Sequence, residues 1–184
     1  MLGAEQVSQV QMQVSVSVTI RLACEADLPG LEWDEETRQL RRVFQATYED
    51  MLAGKRTMFV AAVNQQPVGR LFLQHTSRVA QFADGHSRAY LYSVHVMTPF
   101  QRRGIGSQMM KTAELFLCAN QFRWATLCVS KDNHDAQRLY ERLGYRVFDS
   151  APGRWRYIDH RGRVRHVNEP SWVMIKLLTG VSKP

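Results

Sequence analysis

The 184-residue chain suits one domain, can bury a real core, and has the 45% hydrophobic and 22% charged content of an ordinary globular protein. No apolar run reaches the ~18 residues of a membrane span, and three widely spaced cysteines (Cys24, Cys118 and Cys128) argue against a disulfide framework or a zinc site and for buried free thiols. A net charge of +7 suits a polyanionic ligand, a nucleic acid or an acidic partner and selects none of them.

Met1 to Gln9 has neither turn chemistry nor a helical pattern and reads as a loose end. It lacks the basic start, apolar core and cleavage site of a signal peptide, so a cytoplasmic protein is expected. From Val10 to Leu22 the chain alternates strictly. Val10, Met12, Val14, Val16, Val18, Ile20 and Leu22 share one face, which predicts a long half-buried strand. That length leaves its first half to pair late or with another chain, an arrangement compatible with a homodimer. A turn around Pro29-Gly30 precedes a helix from about Asp34 to Ala53, where Leu40, Val43, Phe44, Thr47 and Met51 recur at helical spacing. Met58 to Val63 and Val68 to His75 read as two strands of a hairpin, joined at Asn64-Gln65-Gln66-Pro67. Ser77 to Ser87 is a loop with Asp84-Gly85 as its turn, and Ala89 to Met97 is the next strand.

Gln101-Arg102-Arg103-Gly104-Ile105-Gly106-Ser107 lies between that strand and a helix over 107–119. Strand, glycine turn and helix together present free N–H groups at a helix N-terminus, where the dipole also favours an anion, typically a phosphate. Gly104 and Gly106 let the backbone come close, and Gln101, Arg102 and Arg103 add donors and charge. The run is not a P-loop, and Met109 stands where a dinucleotide fingerprint needs its third glycine. Met109, Ala113, Phe116 and Leu117 form the core face of the helix.

Trp124 to Val129 is an apolar strand, Asp132 or Asn133 caps a further helix, and Ala136, Leu139, Tyr140 and Leu143 make its stripe. Gly144 ends that helix and Tyr145 to Phe148 begins a strand. After Ala151-Pro152-Gly153, residues 155–160 and 164–168 predict a basic hairpin turning at Arg161-Gly162, and Trp172 to Leu178 is the last strand. With no internal repeat and no linker, 1–184 reads as a single mixed α/β domain.

Two motifs carry a resemblance. Residues 101–106 match Gln/Arg-x-x-Gly-x-Gly/Ala, and residues 133–145 contain Asn-x-x-Ala-x-x-Leu-Tyr-x-x-x-Gly-Tyr, one helix and one strand further on. In this order they resemble the GNAT superfamily of acyl-CoA-dependent N-acyltransferases, and the opening from Val18 to Ala23 with Asp27-Leu28 is similar too. The likeness covers about residues 18–148, the last strand fits the family's end, and 151–170 is longer and more basic than a minimal member. It implies a mixed, mostly antiparallel sheet of about six or seven strands, flanked by helices and splayed at the acetyl-CoA site.

The resemblance also implies roles. Acetyl-CoA is the cosubstrate, no metal is involved, and the acceptor is a small-molecule or peptide amine. The loop from Gln101 through Arg102, Arg103, Gly104, Ile105 and Gly106 to Ser107 holds the pyrophosphate. Backbone amides at Val94, His95 and Val96 grip the pantetheine and thioester carbonyl. Asn133 contacts coenzyme A. The Tyr140 phenol, with an ordinary pKa of about 10, donates to the leaving thiolate.

The general base stays open. Tyr90, Tyr92 and Val94 share the face where the family often places one, and none is a base; His95 lies one step off that face unless a bulge re-aims it. His134, Glu32, Glu35, Asp84 and His86 are further candidates. The acceptor is expected near the region after Pro29, the loop near Asp84 and the 151–170 segment. Arg154, Arg156, Arg161, Arg163 and Arg165 in that segment favour an acceptor with an anionic group over a polycation. Two alternatives are a non-catalytic acyl-CoA sensor and a nucleic-acid-binding module, the latter suggested by these arginines interleaved with Trp155 and Tyr157.

Overall fold

Asn64 and Gln65 both take positive φ, 47° and 67°, and form the two-residue turn that joins β2 (Arg56–Val63) to β3 (Gln66–Gln74). This hairpin is the trunk of the fold in a computed structural model that describes residues 15–179. β1 (Thr19–Leu22) pairs with β2, and β4 (Arg88–Val96) pairs with β3. β5 (Trp124–Ser130), β6 (Arg146–Ala151) and β9 (Ser171–Leu177) complete seven strands in the order β1-β2-β3-β4-β5-β9-β6. Every pairing is antiparallel except β4 with β5. A separate two-stranded ribbon is made by β7 (Arg154–Ile158) and β8 (Val164–Asn168).

The sheet is covered on both faces, which explains why β2 and β3 read as near-continuous apolar runs. On one face α3 (Ile105–Ala119) lays Met109, Met110, Ala113 and Leu117 onto Phe59, Leu71, Leu91 and Leu127. α4 (His134–Arg142) adds Tyr140 to the same cluster. On the other face α2 (Arg41–Leu52) buries Phe44 against Met58, Val60 and Phe72.

Two predicted elements are shorter than expected. Of the predicted strand from Val10 to Leu22, residues 10–14 lie outside the described residues, and Ser15 to Val18 is exposed and unpaired. Thr19 already pairs with Ala62, and β2 ends one residue later, so earlier residues have no strand to join. Val16, Val18 and Leu22 are therefore exposed, and Ile20 alone of that part of the face packs on the core. The predicted helix from Asp34 to Ala53 is two helices, α1 (Glu35–Gln39) and α2. Asp34 caps the first through Thr37 N at 2.7 Å, and Leu40 turns its N–H to Thr37 O, three residues back, which tightens and ends the turn. All three cysteines are free, but none is fully buried: Cys24 is exposed, and Cys118 and Cys128 are partly buried.

The ribbon depends on Gly153. Its φ is +61°, and a Cβ there would lie 1.7 Å from the Glu169 carbonyl oxygen. Gly104, at φ +82°, has nothing within 4 Å of the same position. Gly104→Ala is thus expected to cost only the backbone strain, about 1 kcal/mol. Gly153→Ala is expected to cost more, because Glu169 must also move. Urea unfolding of the two variants checks the order, and equal losses would refute it.

Candidate active site

β4 and β5 pair in parallel from Arg88↔Trp124 to Leu91↔Leu127 and then part. The parting coincides with a bulge. Phe72 opposes Tyr92, Arg70 opposes His95, and Ser93 and Val94 share the single step between, with Ser93 at φ 54°. The extra residue reverses the phase of β4. Tyr92 packs on Phe72 on the α2 face, Val94 and Val96 join the α3 cluster, and His95 lands on the α2 face, 5.4 Å from the Trp33 ring. The re-aiming bulge that His95 needed is present.

The amides of this segment divide accordingly. Met97 N donates to Val68 O at 2.8 Å, so alternation turns the His95 amide towards Arg70 on β3 and leaves Val94 and Val96 facing the gap to β5. Of the three amides expected to grip an acyl group, two face the gap and that of His95 does not.

At the end of β4 the chain makes a short 3-10 turn, Thr98–Phe100, and enters α3 through Gly104. The Gln101 carboxamide donates to Val96 O at 2.8 Å, and its backbone N–H donates to Thr98 O. Gln101 therefore ties the loop to the strand through its backbone N–H and one of the two N–H donors of its carboxamide. From Arg102 to Ser107 no backbone N–H has an acceptor among the described residues, and the first helical bond is Gln108 N to Gly104 O. These free donors at the helix start fit a pyrophosphate. A Cβ on Gly106 would meet only Leu139 and Val96, each at 3.9 Å, so the residue faces the cleft between α4 and the end of β4. Arg102 and Arg103 are exposed, and Arg102 lies 3.8 Å from Asp135 at the start of α4.

Asn133 caps α4, its Oδ1 accepting from Ala136 N at 3.0 Å. It is exposed and lines an open groove of about 580 Å³ with Ser130, Asp132, His134, Asp135 and Arg138. Tyr140 is 6% exposed and meets Tyr145 edge to face. Burial pushes its phenol up to about 12, so it is protonated at neutral pH.

Of the remaining candidates, His95 lies on the α2 face beside Trp33. His95 is exposed on one side, and partial desolvation, with the nearby Arg70 guanidinium after it, lowers its imidazole from the ordinary pKa of 6.5. Glu32 is committed to Arg41, with both contacts at 2.6 Å, and Glu35 to Arg38 at 3.1 Å. His134 is exposed at the start of α4. Asp84 and His86 lie at the opposite end of β4 from the bulge, where Asp84 accepts from the N–H groups of His86, Ser87 and Arg88. The expectation that the Asp84 loop borders the acceptor is therefore corrected. The strand residues Arg88–Tyr92 separate it from the bulge, roughly 17 Å at the usual rise.

The ribbon packs against α2 through β7. Trp155 and Tyr157 share one of its faces with Arg165 and Val167, while Arg154, Arg156, Ile158, Val164 and His166 point outward and are exposed. Arg163 Nε and Arg165 Nε both donate to Asp159, which is fully buried in the turn. Burial alone would raise the Asp159 pKa, but these bonds and the Arg161 and Arg163 N–H groups hold it far below the carboxylate range. The ribbon arginines expected to meet an acceptor are thus turned outward or tied to Asp159.

The residue that sequence reasoning missed is Arg70. In an ordinary half-exposed strand it would be a surface arginine. In a strand covered on both faces it is 4% exposed beside His95.

The fold recurs in solved structures. Ard1 from Thermoplasma volcanium aligns over 89% of this chain and 99% of its own, with TM-score 0.68 and 18% identity. Arabidopsis thaliana NAA60 in complex with acetyl-CoA covers 89% and 100%, with TM-score 0.68 and 17% identity. The ribosomal-protein-S18-alanine N-acetyltransferase from Escherichia coli covers 91% and 97%, with TM-score 0.66 and 18% identity. No curated protein matches by sequence. The model of the acetyltransferase (GNAT) family matches residues 23–145, which span the bulge, the glycine loop and Tyr140. With two thirds of its length matched and both motifs in place, the chain belongs to the acetyltransferase (GNAT) family.

Proposed function

We propose that the protein moves an acetyl group from acetyl-CoA to a primary amine by direct attack within a ternary complex. Acetyl-CoA supplies the activated acyl group as a thioester. The observation that carries the reading is the Ser93 bulge, which opens β4 from β5 and turns His95 onto the α2 face in one step. The free amides from Arg102 to Ser107 would hold the pyrophosphate, with Arg102 and Arg103 adding charge. Val94 and Val96 would donate their N–H groups to the acyl oxygen in the gap. His95 would take the proton that the attacking nitrogen loses, and Tyr140 would give its own to the departing sulfur. One N–C bond forms, one C–S bond breaks, and one proton enters and one leaves the protein. Asn133, which lines the groove, would contact the cofactor rather than take part in the chemistry.

Neighbours of similar fold are named for a ribosomal-protein alanine and for spermidine, so the acceptor class is read from this chain's own residues. A thiol-release screen of amines with acetyl-CoA and longer acyl-CoAs tests the reading. Acetyl-CoA that stabilises the protein without thiol release from any amine would mark a sensor instead.

The pH profile tests His95. Its neutral form is the base, and its pKa is depressed, so kcat/KM expressed per unprotonated amine should hold as pH falls to 6.5 and drop only below that. His95→Gln should lose that acid limb and about 10²-fold in rate at neutral pH. An unchanged limb in the variant would remove His95 from the chemistry.

A further inference from the structure

Arg70 is a buried cation with no counter-ion among the described residues. It leaves β3 opposite His95, and its guanidinium lies 4.9 Å from the Trp33 ring and 5.1 Å from the Phe44 ring. Nε donates to Ser93 Oγ at 3.0 Å. Nη1 is buried and has no acceptor among the described residues. Asp34 and Glu36 on or beside α1 are the acids whose field reaches it, yet neither pairs with it, and Asp34 Oδ1 accepts from Thr37. Burial lowers Arg70 to about 10, so it remains charged at neutral pH. A buried guanidinium is normally paired, because an unpaired charge away from water is expensive. Here aromatic rings hold the group while part of its donor edge stays unused.

Its place gives the unused donors a meaning. Arg70 and His95 are cross-strand partners, whose Cβ atoms are about 5 Å apart in such a pair. Trp33 touches both side chains and is itself anchored through Nε1 to Pro67 O at 3.0 Å. A group held by Arg70 therefore lies a few bonds from a nitrogen held by His95. We infer that Arg70 binds a carboxylate on the acceptor, so that the amine acetylated is one carrying a carboxylate close to its nitrogen, as in an α- or β-amino acid. A planar carboxylate suits the in-plane donors of a guanidinium held between rings. The inference rests on the acyl-transfer reading of the same site and names its acceptor class.

The test uses the full chain, acetyl-CoA, and matched acceptors: free amino acids and the same amino acids as carboxamides, with rates expressed per unprotonated amine. Wild type should favour the carboxylates by at least about tenfold in kcat/KM. Arg70→Met, which keeps an apolar stem between the rings, should bring that ratio close to one, and Arg70→Lys should leave it between the two. Calorimetry supplies a second arm without turnover. In the presence of CoA, N-acetyl amino acids should bind wild type more tightly than their carboxamides, and this preference should shrink in Arg70→Lys even if Arg70→Met does not fold. Carboxamides used or bound as well as carboxylates by wild type would overturn the inference. A carboxylate preference in binding with no thiol release would support Arg70 and count against acyl transfer alone.

Discussion

Tyr140→Phe is expected to lower kcat by about 10²–10⁴-fold, the usual contribution of a general acid, while acetyl-CoA affinity stays near that of the wild type. The substitution removes one oxygen from a ring that is 6% exposed and packs edge to face on Tyr145. Phenylalanine keeps that packing, so the fold should survive and the loss should be chemical. The physical case is the protonation state. Burial alone raises the phenol to about 12, which leaves the proton on oxygen at neutral pH, available to a thiolate. Steady-state thiol release gives kcat, calorimetry gives the cofactor Kd, and single-turnover rates show whether chemistry limits. A Tyr140→Phe enzyme with wild-type single-turnover rates would assign the residue to packing.

The second large effect is at the helix start. Gly106→Val should weaken acetyl-CoA by about 10²-fold or more, equal to roughly 3 kcal/mol. The first side-chain carbon is not the obstacle, since it would sit at ordinary contact distance from Leu139 and Val96. Gly106→Ala should accordingly fold and still bind. The two further methyls of valine fill the cleft through which a phosphate would reach the amides of α3. The thermal shift that acetyl-CoA gives the wild type should survive in the alanine variant and vanish in the valine variant. A folded valine variant with full affinity would remove the loop from the cofactor site.

These two effects concern residues that could be read from the chain. Glycine at 104 and 106 ahead of an apolar helical stripe, Asn133 ahead of another, and Gly144 at φ +90° after it are all local signals, and each does what its type and position require. The ribbon over 154–168 was legible for the same reason. What could not be read depends on partners distant in sequence. The length of β1 is set by where β2 ends, not by the alternation that continues upstream of Thr19. The bulge falls on Ser93-Val94, a pair with no glycine or proline to announce it, so strict alternation put His95 on the wrong face. Arg70 looks like the polar member of a half-wet strand, and its burial follows only from α2 and Trp33 lying over it. Asp84 has the chemistry of a candidate base, and only the direction of β4 places it at the far end.

The phase reversal at Ser93 also constrains how this segment can vary. Upstream of it, odd positions Ala89 and Leu91 face α3; downstream, even positions Val94 and Val96 do. A point substitution at 95 changes the group offered to the α2 face and leaves the apolar lining alone. Losing or gaining one codon near 93 would exchange the two sets at once, driving the imidazole under α3 and the valines onto the α2 face. The stretch can therefore explore chemistry by base change but is closed to changes of length, so its spacing to the glycine loop should be more rigidly inherited than the residue at 95 itself.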